Sequence, residues 1–240
     1  KISIKPKQLK FKKIMSSIAS TEHGHDESKT SQTSQNLSIE EIYQDRDIIE
    51  HVLLRPGMYV GDISSSQEES YIWDDQKIVK KNILFNRGLC HIVDEIIVNA
   101  MDNKQRDPNM NLLEVEIDLN EKSISVTNNG QSIPVQVHGT KGVYVPEFVF
   151  SFERSGSNFR EERGTVGGAH GLGAKLTNIL SHSFQVIVND ETNKKHYEQL
   201  FEDHMRVKNA PVIRKLLKKE KNSVQIKFVP DLPNFEDAAF

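Results

Sequence analysis

The 240-residue sequence contains one cysteine, Cys90, so it cannot close a disulfide within itself. No uninterrupted apolar run approaches the ~18 residues a membrane-spanning helix requires, and no membrane partner is expected. A basic excess is also missing. Against 31 lysines and arginines stand 34 aspartates and glutamates, a net charge of −3. A domain that grips DNA through its phosphates normally carries the opposite balance. Gripping a duplex directly is therefore not expected of this chain. The sequence also lacks an internal repeat, a Gly-x-x-x-x-Gly-Lys-Ser/Thr loop, and a dinucleotide fingerprint with its strand and ribose-binding acid.

What is present divides the chain in two. Residues 1–13 are rich in lysine, no acidic residue precedes Glu22, and residues 16–36 are rich in Ser, Thr, Gln and His with almost no large apolar side chain. Such a segment cannot offset the entropy of ordering, so 1–36 is expected to be a disordered basic and polar leader. A nuclear-import patch, an organelle-targeting segment and a solvated basic tail are all open readings of it. A folded domain is expected over 37–240. Ser38 with Glu41 has the form of a capping box, and 48–54 reads as a short helix ending at Arg55-Pro56-Gly57. The clearest long helix is 89–103. Residues 114–119 and 123–127 alternate apolar and polar around Asn120-Glu121 and read as a hairpin. Residues 145–152 are expected to be helical, and a glycine-rich loop over 154–173 runs into a helix at 174–180. Residues 184–189, 196–201 and 224–229 read as strands. Strands in runs with helices between them predict an α+β fold on a mostly antiparallel sheet.

The long helix carries the chemistry. At 100° per residue, Ile92, Val93, Ile96, Ile97 and Ala100 form its core side. His91, Glu95, Asn99 and Asn103 follow at four-residue steps as a polar stripe beside it, with Asp102 nearby. Asparagine is a poor choice for a solvated helix interior, yet two occur in this stripe. A carboxylate one turn from an amide suits water activation beside a hard cation. Glu95 could polarise a water for attack on phosphorus, and Asn99 could lend a neutral oxygen to Mg²⁺.

Two loops complete a nucleotide site. Asn128-Asn129-Gly130-Gln131-Ser132 follows the hairpin, and Asn128 offers both a donor and an acceptor to an adenine edge. Further on, Gly164-Thr165-Val166-Gly167-Gly168-Ala169-His170-Gly171-Leu172-Gly173-Ala174-Lys175 is dense enough in glycine for backbone N–H groups to approach a polyphosphate, with a helix start and Lys175 behind them.

In that order, a helical Glu-x-x-x-Asn, an Asn-x-Gly turn and a Gly-x-x-Gly-x-Gly lid resemble the GHKL ATPases. Within that superfamily the chain resembles eukaryotic-type topoisomerase II over 37–240. The match runs through Leu37-Ser38-Ile39-Glu40-Glu41-Ile42-Tyr43-Gln44, Asp94-Glu95-Ile96-Ile97-Val98-Asn99-Ala100, Asp102-Asn103-Lys104-Gln105-Arg106-Asp107-Pro108 and Gly173-Ala174-Lys175-Leu176. The resemblance implies the Bergerat fold, a two-layer sandwich of mixed, mostly antiparallel sheet with helices on one face. It implies ATP and Mg²⁺ as ligands, with Glu95 the general base and His91 orienting it. Asn99 matches the Mg²⁺ ligand and Asn128 the base-recognition position, with Asn103 among the ATP-contacting residues. Gly156, Ser157 and Asn158 match the loop that contacts phosphate and ribose, and Gly168, Ala169, His170, Gly171, Leu172, Gly173, Ala174 and Lys175 match the lid. Tyr43 matches the tyrosine that reaches into the partner subunit when the ATP-bound homodimer closes its N-terminal gate.

The chain departs from this pattern at Ser132, where the family has glycine, which predicts a stiffer turn. It departs again at Ala169-His170, in place of Arg-Asn, which removes a guanidinium from the phosphates. His91, His170 and Pro56-Gly57-Met58-Tyr59 look more like bacterial gyrase. The family's transducer lysine and DNA-cleaving tyrosine are expected beyond Phe240, so the fragment is expected to bind ATP but turn it over slowly. Duplex DNA would be engaged by the full-length enzyme. A nuclear location is the family default, with a mitochondrial one the alternative. Two other functions stay open: a chaperone- or mismatch-repair-type GHKL ATPase, and a nucleotide-gated dimerisation module without turnover.

Overall fold

A computed structural model describes residues 2–6, 46–74, 76–152 and 171–231. The chain opens with β1 (Ile2–Pro6), followed by helices α1 (Ile48–Leu54) and α2 (Gly57–Val60) and strands β2 (Ser65–Asp74) and β3 (Lys77–Asn86). The long helix α3 (Arg87–Arg106) leads into β4 (Leu113–Asp118) and β5 (Ser123–Asn129). Helices α4 (Val145–Ser151) and α5 (Gly173–Ile179) precede β6 (Ser181–Asp190), β7 (Lys195–Glu202), β8 (Val207–Lys208), β9 (Val212–Lys215) and β10 (Ser223–Pro230).

One sheet runs β1-β4-β5-β10-β6-β7-β8, with β9 also paired to β7. Every pairing in it is antiparallel except β1 with β4. Alternation along β6 buries Phe184, Val186 and Val188 completely and leaves Gln185, Ile187 and Asn189 half-buried. Among the described residues the helices pack against β5, β6 and β10, and the α+β expectation holds. In the core Phe184 stacks between Phe150, Phe201 and Phe228, with ring centroids 5.9–6.3 Å apart.

Local signals explain the helices. Asn86 Oδ1 accepts the Leu89 amide at 2.9 Å and caps α3. Leu89, Ile92, Ile96 and Ala100 bury its core side. The helix stops at Asp107, the residue before Pro108, where αR backbone is disfavoured. In the same way Asp47 caps α1 by accepting the Glu50 amide at 2.8 Å.

The structure departs from expectation at two places. Ile2–Pro6, expected to lie in a disordered leader, is a strand in register with Leu113–Ile117 of β4. The Ile2-x-Ile4 alternation carries a strand pattern, and the outer edge of β4 supplies unpaired backbone groups for it. The second departure is the long hairpin β2–β3, a separate two-stranded sheet. One of its faces carries Tyr71, Trp73, Ile78 and Leu84, each more than half exposed. The capping box at Ser38 and Glu41 lies outside the described residues.

Candidate nucleotide site

Helix α3 lays its polar stripe along one side of the site. His91 Nε2 lies 3.2 Å from Glu95 Oε1, so the four-residue step has brought the two together. The Glu95 carboxylate is partly exposed and abuts Gly173, the first residue of α5. A Cβ on Gly173 would fall 1.6 Å from Glu95 Oε2 and 2.3 Å from its Cδ. Any other residue there would have to displace the Glu95 carboxylate. One turn along, Asn99 is half-buried and makes no side-chain hydrogen bond to a described residue.

Asn103 behaves differently from the rest of the stripe. Its Nδ2 donates to the carbonyls of Asn129 at 3.2 Å and Gln131 at 3.0 Å, and the residue is buried. Each four-residue step turns the stripe by about 40°, so three steps carry Asn103 about 120° around the helix from His91. The residue expected among the ATP contacts therefore clamps the turn after β5. Asn129 braces the same turn, its Oδ1 accepting the amides of Asn111 and Leu112 at 3.0 and 2.9 Å. Gly130 sits at φ +92°, where a Cβ would also fall 2.8 Å from Met110 Cβ. Ser132 Oγ donates to the Ser223 carbonyl at 3.4 Å, a contact between this turn and β10. Asn128 ends the buried row Ile124-x-Val126-x-Asn128, and its Nδ2 donates to the Asn129 carbonyl at 2.9 Å. A polar residue thus closes an apolar row at the site.

Helix α5 is buried from Ala174 to Ile179. Thr177 Oγ1 donates to the Ile92 carbonyl of α3 at 2.8 Å and fixes α5 across the helix that carries Glu95. No sequence pattern singles out this threonine. Gly171, Leu172 and Gly173 are half-buried where the lid meets α5. Lys175 is 3% exposed, with Nζ 2.5 Å from the Gly171 carbonyl. Burial pulls its pKa from 10.5 down to about 8. The unfolded chain holds this proton up to the ordinary lysine value, so it binds more protons than the folded chain between those two values. Stability therefore rises with pH across that window. Lys175→Met is expected to unfold later in urea than wild type, by up to about 3 kcal/mol at pH 7, narrowing to about 1 kcal/mol or less at pH 10. A constant difference between those two pH values would show that the lysine is not charge-strained.

Tyr43, Gly156, Ser157, Asn158, Gly168, Ala169 and His170 lie outside the described residues. Those described can do specific chemistry. Glu95 can take a proton from a water and is oriented by His91. The donor set also fits Mg²⁺, which binds oxygen, keeps several waters and needs few protein ligands beside phosphate. Asn99 Oδ1 would be its protein ligand.

Comparison with known proteins agrees with this geometry. Residues 86–210 match the family described as Histidine kinase-, DNA gyrase B-, and HSP90-like ATPase, and the chain belongs to that ATPase family. Within it, the part this chain resembles is the ATPase region of DNA topoisomerase II. Identity is 42% over 199 residues with DNA topoisomerase 2 of Arabidopsis thaliana, covering 82% of this chain and 13% of that protein. It is also 42% over 200 residues with a putative mitochondrial DNA topoisomerase 2 of Caenorhabditis elegans, covering 81% of this chain and 17% of that protein. The chain thus spans less than a fifth of the length of these relatives. The crystal structure of the ATPase and transducer domains of DNA topoisomerase II from Balamuthia mandrillaris superimposes with a TM-score of 0.81 at 39% identity, covering 84% of this chain and 53% of that one. No helix among the described residues is long and apolar enough to cross a membrane.

Proposed function

We propose that this chain is the ATP-operated clamp of a type II DNA topoisomerase, closing as a homodimer at its N-terminal gate when ATP binds. Hydrolysis would then drive passage of one duplex through another. The observation that carries this reading is the Glu95 carboxylate, oriented by His91 and lying against the glycine that begins α5. Lid residues that close over bound nucleotide would come against this contact, which would couple nucleotide occupancy to catalysis.

In this reading Glu95 is the general base, Asn99 holds Mg²⁺ through its side-chain oxygen, and Asn128 recognises adenine. Mg²⁺ supplies charge neutralisation to the phosphates when bound. Lys175, costly to bury as a cation, would gain a countercharge when polyphosphate comes against it. Gly156, Ser157, Asn158, Gly168, Ala169 and His170 would close the site, and Tyr43 would reach it from the partner subunit. The exposed hairpin face of Tyr71, Trp73, Ile78 and Leu84 suits a contact between two copies. Duplex DNA would be held elsewhere in the full-length enzyme, in keeping with the net charge of −3. The nucleus is the proposed location. The acid-poor, lysine-rich start and the mitochondrial relative support a mitochondrial alternative.

The test is ATP-dependent separation of interlinked DNA circles by the full-length protein. The wild type is expected to separate them and Glu95→Ala to fail. Separation by both would remove Glu95 from the mechanism. ATP turnover by the wild type without separation would place the protein among chaperone- or repair-type ATPases.

A further inference from the structure

At the end of α5 opposite Gly173, three side chains from separate strand ends converge. His182 is the second residue of β6, His204 lies in the turn between β7 and β8, and Asp231 follows β10. His182 Nε2 is 3.0 Å from one carboxylate oxygen of Asp231, and His204 Nε2 is 3.7 Å from the other. A ligand atom from each of the three lies within 4.8 Å of the others.

The backbone builds this cluster deliberately. Asp231 N–H donates to the Leu180 carbonyl at 3.0 Å, and Asp203 N–H donates to the His182 carbonyl at 3.1 Å. Asp203, His204 and Met205 occupy left-handed backbone in succession, at φ +47°, +58° and +67°. That run is unfavourable for L-residues. Burial of Met205 anchors it and turns His204 toward Asp231.

Proton positions decide what the cluster is for. His204 Nδ1 lies 2.9 Å from the Ile179 carbonyl, which can only accept, so Nδ1 carries the proton. In the neutral ring Nε2 then presents a lone pair toward the Asp231 carboxylate, itself an acceptor. A proton on Nε2 would join the two as an ordinary ion pair, whereas a metal ion would take the Nε2 lone pair, the carboxylate and the His182 imidazole together. An imidazole whose far nitrogen is fixed by a carbonyl is also the arrangement that orients histidine for a metal.

We propose that His182, His204 and Asp231 form a site for a divalent transition metal ion of the Zn²⁺ class, pinning the C-terminal end of α5. Two imidazoles and a carboxylate suit such an ion, with water in the fourth position. Tetrahedral coordination at zinc distances separates neighbouring ligand atoms by about 3.4 Å. The separations to Asp231 bracket that value, and exposed His182 is free to swing inward and admit the ion. The ion would hold the base of the helix whose other end lies against Glu95.

The chain, stripped with a chelator, is titrated with Zn²⁺ against a chromophoric indicator. One equivalent is expected to bind with a dissociation constant in the micromolar range or tighter. At hundredfold excess over that constant, Tm is expected to rise by about 5–10 °C. Co²⁺ is expected to give tetrahedral visible absorption. His182→Asn, compared with its own metal-free Tm because His182 also pairs with Asp231, is expected to weaken binding by about tenfold or more and to cut the Tm rise to about half or less. Asp231→Asn is expected to weaken binding likewise. The double variant His23→Ala, His25→Ala, which removes a separate histidine pair, is expected to bind as wild type. Equal binding and Tm rise in His182→Asn, loss in the His23/His25 variant, or wild-type binding no tighter than millimolar would each overturn the site.

Discussion

Replacing Glu95 by glutamine in the full-length enzyme is expected to slow ATP hydrolysis by about 10²–10⁴-fold while changing nucleotide affinity by less than about threefold. Glutamine keeps the length and shape of the side chain, so it keeps its place against Gly173 and beside His91. It cannot accept a proton from the attacking water. What is lost therefore exists only in the transition state, and kcat should fall while binding survives. His91→Asn should cost less. The histidine is partly exposed and acts through the carboxylate at 3.2 Å without meeting the phosphate itself. Its signature is a fall in kcat smaller than that of Glu95→Gln, with KM unchanged. Rapid-quench measurement of one turnover separates these effects from product release. Wild-type turnover in Glu95→Gln would show that another group activates the water.

How much of this was legible in the sequence depended on whether the information was local. Helix α3 was legible because its apolar period, its cap and its terminating proline all lie within one segment. The fold class followed from strands in runs, and the stripe from His91 to Asn99 followed from helical geometry. The same geometry did not reveal the partner of Asn103, because the slow rotation of a four-residue step brings its side chain onto the turn after β5. The hairpin Ser65–Asn86 was missed because both its faces are largely solvated, so Ser65–Ser70 carries no apolar residue to alternate with its polar ones. Ile2–Pro6 was hidden by its lysine-rich context, since composition averages over a strand of five residues. Contacts between distant segments left no signal. Glycine density marked a lid, but nothing local says that Gly173 is the glycine on which Glu95 rests. Likewise His182, His204 and Asp231 meet only because three strand ends do.

That contact makes Gly173→Ala the most informative substitution, because local and tertiary physics predict opposite signs. Gly173 has no positive φ and lies in a helix, where alanine alone would stabilise by about 0.5–1 kcal/mol. The added methyl instead meets the Glu95 carboxylate at 1.6 Å and its Cγ at 2.9 Å. Either Glu95 leaves its rotamer and its partner His91, or α5 moves off α3. The second route is opposed by the Thr177 hydroxyl bonded to the Ile92 carbonyl. Overpacking of this kind costs about 1–3 kcal/mol, so the single variant is expected to be destabilised and to hydrolyse ATP at least about 10²-fold more slowly. In a Glu95→Ala background the obstruction is gone. There Gly173→Ala should be neutral or stabilising, giving a coupling energy of about 1–3 kcal/mol in a double-mutant cycle by urea unfolding. The cycle reads the contact independently of catalysis, since both members containing Glu95→Ala are inactive by design. Equal effects of Gly173→Ala in the two backgrounds would mean that the glycine serves the backbone, and that the base and the lid are not in contact in the resting domain.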